Sequence, residues 1–124
     1  MKEVLAVFVG GGLGSVARFT VGRWVGSLHT HYWPFGTLLI NIIACALIGL
    51  LVGFADHKHW IGPTTRLLLV VGFCGGFSTF SAFSTETLTL LQQGHHTGTL
   101  LYVGASVVLC VLATFGGLVL AERL

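Results

Sequence analysis

Three long stretches of this chain, residues 24–55, 67–85 and 87–121, contain no Asp, Glu, Lys or Arg. A helix that crosses a bilayer needs about 20 predominantly apolar residues, and each stretch can hold one. Residues 4–17 are also free of charge, and apolar character resumes after Arg18 with Phe19, Val21, Trp24 and Val25, which adds a further span. Only 8% of the 124 residues are charged, 54% are hydrophobic, and mean hydropathy is +0.92. These values lie outside the range of soluble domains. The expected architecture is therefore all-α and integral to the membrane, one four-helix domain over residues 1–124. Its helices are expected near residues 4–28, 35–54, 65–91 and 99–121.

Several functional classes have little support. Lys2 is followed at once by Glu3, and the apolar run continues through Arg18 without a clear cleavage site, which argues against a cleaved signal peptide. A net charge of +2 with scattered basic residues is too small for a nucleic-acid footprint. Cys45, Cys74 and Cys110 fall one to a span, which suits small buried side chains better than a disulfide framework. All six histidines are expected in the connections, with His57 and His59 two apart and His95 beside His96. No cysteine or carboxylate completes a tetrahedral metal set there, and no nucleophile and base converge as an enzyme requires. If the spans alternate, Lys2, Lys58, Arg66 and Arg123 lie on one side and Arg18 and Arg23 toward the other. So slight a difference leaves insertion in both orientations open.

Small residues organise the spans. Gly10 and Gly14, Gly22 and Gly26, Gly49 and Gly53, and Gly72 and Gly76 are each four apart, a spacing that lets helices approach closely. Four short helices have little room to enclose a polar path, so self-association is the economical arrangement. The third span carries GFCGGFSTFSAFSTE at 72–86, where paired glycines precede a run of hydroxyls. A continuous helix is not expected there: the break is expected near Gly75–Ser78, and at membrane depth it frees carbonyls that protein, water or an ion must satisfy.

Polar and aromatic residues recur at helical spacing around that break. Phe80 and Phe83 share a face that Glu86 and Thr87 continue. Thr37, Asn41 and Cys45 form a line on the second span, and Tyr102, Ser106, Cys110 and Thr114 form another on the fourth. The stripes suggest a narrow lined path, rich in amide and hydroxyl donors, with Glu86 as its one carboxylate. Donors without carboxylates suit an anion. Arg18 reads either as an attractor at a vestibule or as a side chain snorkelling to the interface.

The segments GGLGSVAR at 11–18, PFGTLLIN at 34–41 and GFCGGFSTFSAFSTE at 72–86 together resemble the signature segments of the Fluc (CrcB) family of small fluoride channels. The resemblance covers the whole chain. It implies a fluoride channel of the bacterial inner membrane, built as an antiparallel homodimer of oppositely inserted subunits. It also implies two fluoride pathways and a structural sodium ion where the broken third helices cross. By motif match Asn41, Phe80 and Phe83 correspond to pore residues, and the backbone carbonyls of Gly75 and Ser78 to sodium ligands. Thr37, Ser81, Tyr102, Ser106 and Glu86 match positions near the fluoride path. Ala82 departs from the family, which usually has Thr or Ser there, and so removes one hydroxyl.

Two further classes compete with this one. A small multidrug-type proton-coupled transporter has the same size and span number but needs a carboxylate within its first span, where this chain has only Glu3 at the start. A non-transporting membrane assembly subunit would use the polar stripes as packing hydrogen bonds.

Overall fold

The computed structural model describes residues 1–28, 30–56 and 60–124. These residues form helices α1 (Lys2–Leu28), α2 (Phe35–Asp56), α3 (Pro63–Arg66), a π-helical segment π1 (Leu67–Cys74), α4 (Gly75–Phe77), α5 (Phe80–Gln92) and α6 (His96–Arg123). The pieces α3 to α5 make one span, Pro63–Gln92, so four helices are long and apolar enough to cross a membrane, as the charge-free stretches imply. The fourth span starts earlier than expected: His96, Thr97 and Gly98 belong to α6 rather than to the connection. His29, His57, Lys58 and His59 lie outside the described residues.

Close backbone contacts divide the spans into two pairs. In the first, α1 meets π1 and α4: a Cβ on Gly10 would strike the Leu68 carbonyl, one on Gly14 the Phe73 carbonyl, and one on Gly76 the Gly11 backbone. In the second, α2 meets α6: Gly49 lies against the Thr114 carbonyl and Gly117 against that of Ala46. A bilayer gives helices no hydrophobic incentive to associate, so dispersion at short range must do it, and hydrogen-only side chains permit that range. Of the expected four-residue pairs, Gly22 and Gly26 make no comparably close contact.

The helix break does not fall on the glycines. Gly75 and Gly76 are helical, and the unwound residues are Ser78 (ψ 160°) and Thr79 (φ −153°, ψ 115°). Gly76 serves the contact with α1, while Thr79 restarts the helix as the N-cap of α5, its side chain accepting from Ala82 N. Two apolar clusters flank the break. Ile40, Ala44 and Phe77 pack with Phe73, Ala17 and Val21 on one side, and Leu38, Leu90 and Tyr102 with Trp33, Ile42 and Phe83 on the other.

Gly49→Val is expected to drive α2 and α6 apart, because backbone on both sides cannot yield as a flexible side chain would. The cost should exceed the roughly 1–3 kcal/mol of ordinary core overpacking. Gly104→Ala, where a Cβ meets nothing within 4 Å, should leave the subunit stable. Thermal unfolding in detergent, followed by fluorescence and size exclusion, checks the contrast.

Candidate functional site

Thr79, the second unwound residue, is held by a single side chain from the neighbouring span. Asn41 Oδ1 accepts from Thr79 N at 2.8 Å, and Asn41 Nδ2 donates to the Thr79 carbonyl at 3.1 Å. Both backbone groups of the irregular residue are thus paired at membrane depth, where leaving one unpaired is costly. An amide carries two N–H donors, so one remains for another acceptor. In an uninterrupted helix Thr79 N would donate to the Gly75 carbonyl; its diversion to Asn41 leaves that carbonyl without its usual partner. Gly75 itself is exposed, with open space where a Cβ would stand. The Ser78 carbonyl accepts from Arg18 Nη1 at 3.4 Å, a long bond.

Asn41 also lines a cavity of about 240 Å³, together with Phe80, Phe83, Ser106, Cys45 and Cys110. The two polar lines on α2 and α6 meet there. The Ser106 hydroxyl oxygen is buried with no hydrogen-bond partner among the described residues. The rings of Phe80 and Phe83 lie 5.4 Å apart, and Phe83 lies 5.3 Å from Tyr102, which meets Trp33 edge-on at 5.6 Å. Phe80 is 79% exposed, whereas Phe83 is half-buried.

A larger cleft of about 870 Å³ opens on the other side of Thr79 and is lined by Arg18, Arg23, Thr37, Ser81, Thr85 and Glu86, among others. Ala82 faces it too, so the missing hydroxyl is missing from this cleft. The Glu86 carboxylate accepts from Thr37 Oγ1 through one oxygen and from Tyr102 Oη through the other, each at 2.7 Å. Both bonds are short for their type. They cross-link α2, α5 and α6 at the cleft floor. Arg18 lines the cleft and lies near the break.

Of the residues singled out in the sequence, Thr37, Glu86 and Tyr102 form one hydrogen-bonded group, and Asn41, Phe80, Phe83 and Ser106 line one cavity. Ser81 lies in the cleft, its hydroxyl 3.2 Å from that of Thr79. Thr114 leaves the stripe, since its hydroxyl bonds to the Cys110 carbonyl of its own helix. Sequence reasoning passes over Thr79 as a structural centre, although a threonine immediately before a helical run is a recognisable N-cap signal. It also misses Arg23 as a cleft residue, which stands 5.7 Å over the Phe19 ring.

Four apolar spans, a third span interrupted in mid-course, and a cavity beside an arginine-bearing cleft define a small polytopic membrane protein. Residues 5–118 match the family model described as "CrcB-like protein, Camphor Resistance (CrcB)". Similar curated proteins include the "Fluoride-specific ion channel FluC" of Rhizobium meliloti, 43% identical over 124 residues, with 100% of this chain and 99% of the relative covered. Proteins of the same description from Rhizobium etli and Flavobacterium psychrophilum are 40% and 38% identical, each over 100% of this chain and 99% and 100% of the relative. The chain belongs to the CrcB family.

Asn41→Leu is expected to release Thr79 N and raise amide exchange at Thr79 well above wild type. Asn41→Asp retains the Oδ1 acceptor and should keep that amide protected while losing the bond to the Thr79 carbonyl. Hydrogen exchange read by mass spectrometry on peptides spanning the break separates the two.

Proposed function

We propose that the chain is the subunit of a fluoride-selective channel that lets fluoride leave the cell passively across the bacterial inner membrane. The observation that carries this is the cavity where Asn41 and the unpartnered Ser106 hydroxyl face the Phe80 and Phe83 rings with no carboxylate in the lining. The printed names of the relatives supply the ion. Fluoride is small and strongly hydrated, so its water must be replaced by good donors, and hydroxyl and amide groups provide them. Phenyl edges are electropositive and can approach an anion, while a narrow path leaves larger halides poorly held. Arg18 and Arg23 bias the cleft toward anions before they reach the uncharged cavity. Hydrogen fluoride, being neutral, enters from an acid medium and dissociates inside, and the membrane potential drives the anion out. The protein is a channel and not an enzyme. Its first span has only Glu3, at its outer end, as a carboxylate, which leaves the multidrug-type mechanism without its proton carrier.

The working unit on this reading is an antiparallel homodimer with dual topology, two pathways and a sodium ion between the broken helices. Near-balanced basic residues support the two orientations, and the 79% exposure of Phe80 supports a surface that a second copy covers. The residues at the break fit a cation in part. The freed Gly75 carbonyl lies at the C-terminal end of the helical stretch over residues 63–77, where the helix dipole is negative. The Ser78 carbonyl has a second lone pair beside its long bond from Arg18. Sodium supplies positive charge that balances these carbonyls, and the residues that hold it are Gly75 and Ser78 of each copy.

Purified protein in liposomes is expected to release fluoride under a potassium-driven potential, read with a fluoride electrode, and to hold chloride back. Phe83→Ile keeps an apolar side chain but removes the ring edge. It should conduct far more slowly while running as a dimer on gel filtration; parent-rate flux would make that ring mere packing.

Dialysis into sodium-free N-methylglucamine buffer is expected to lower the melting temperature of the dimer. An unchanged melting temperature with full flux rejects the sodium site.

A further inference from the structure

The cavity behind Phe83 also holds two nucleophilic side chains to which the anion path assigns no role. Cys45 stands one turn beyond Asn41 on α2, and Cys110 one turn beyond Ser106 on α6; both line the cavity. The two thiols face the same cavity from the two helices and are close enough to interact electrostatically. Both thiols are free and half-buried, whereas Cys74 is fully buried and outside the lining. The pair is held at backbone level, because α2 and α6 are pressed together at Gly49 and Gly117, further along the same helices.

Thiolate ligands select soft cations. Zinc takes four ligands in a tetrahedron, and no group of three His, Cys, Asp or Glu is assembled among the described residues. Charge narrows the choice further. Two thiolates with a divalent ion make a neutral complex, whereas a monovalent ion leaves a net negative charge in an apolar setting, where unpaired charge is expensive. A soft divalent ion satisfied by two sulfurs, the mercuric ion, meets both conditions. The exchange balances without redox change: one Hg²⁺ replaces two thiol protons and forms S–Hg–S, releasing two H⁺.

We propose that Cys45 and Cys110 form a two-thiolate site for a thiophilic divalent cation of the mercuric type, and that its occupancy plugs the anion path at the cavity. The binding half stands on the thiol pair alone; the plug rests on the channel reading above. Full-length protein in detergent, titrated with mercuric acetate and then denatured and labelled with a fluorescent maleimide, is expected to take one ion per chain. Two thiols should be protected and Cys74 left to react. Cys45→Ala and Cys110→Ala should each hold the ion through one thiol only and give it up to added glutathione before labelling, and Cys74→Ala should retain it. Peptide mapping of the wild-type complex guards against misfolded variants, since it should find Cys45 and Cys110 joined through mercury. Two ions per chain, protection that survives glutathione in Cys45→Ala, or a linked pair containing Cys74 overturns the site. In liposomes mercuric ion should stop fluoride efflux from wild type, whereas Cys110→Ala with mercuric ion should keep whatever rate the same variant shows without it; unimpeded efflux from fully loaded wild type overturns the plug. Absence of efflux from untreated wild type counts against the channel reading, while the thiol count still decides the site.

Discussion

A backbone amide or carbonyl that leaves a helix inside a membrane has no water to turn to, and the third span leaves its helix at Ser78 and Thr79. Much else in the site depends on how that demand is met. The Asn41 side chain is a planar donor and acceptor, and it reproduces for Thr79 the two bonds that a helix or a strand partner would have made. α2 is thereby tied to the break, and α5 restarts with its N-cap in place. The first turn of α5 carries Phe80, Ser81, Ala82 and Phe83 in a fixed order around its axis. Side chains on that turn divide between cavity and cleft because the break sets where the turn begins.

Glycine contacts supply the rigid frame for this irregularity. Two helix pairs, α1 with π1 and α4, and α2 with α6, approach at backbone distance. α5 relies instead on a cluster around Leu90 and Tyr102, and on the Glu86 carboxylate that gathers Thr37 and Tyr102. That division has an electrostatic consequence. Glu86, with both oxygens occupied by short donors, lines the cleft and not the cavity. The described carboxylates do not line the cavity.

A small polytopic protein exposes most of its apolar surface, and here Val4, Phe8, Leu100, Val111 and Phe115 all face outward. Lipid is a suitable solvent for such side chains. Phe80 differs because it is an exposed aromatic at the edge of a donor-lined cavity, where one wall is supplied by this chain and the other side is open. The homodimer proposed for the working channel closes that side with protein.

The number of spans, their approximate limits and the membrane as solvent were legible in the sequence. Charge at membrane depth is expensive, and chains that fold in water do not leave stretches as long as residues 24–55, 67–85 and 87–121 without it. The polar lines through Asn41, Ser106 and Phe83 were also legible, since helical spacing fixes which residues of one helix share a face. What spacing within a helix cannot give is the register between helices. That register, set by which glycine meets which backbone, brought Thr37 and Tyr102 to the same carboxylate and Cys45 to Cys110. It also shifted the break: the glycines that looked like the weak point are helical, serving close approach at Gly76, and the helix opens two residues later. Local propensity marked the region, but only the tertiary structure chose the residue, because the opening falls where a neighbouring amide is in reach to satisfy the backbone it frees.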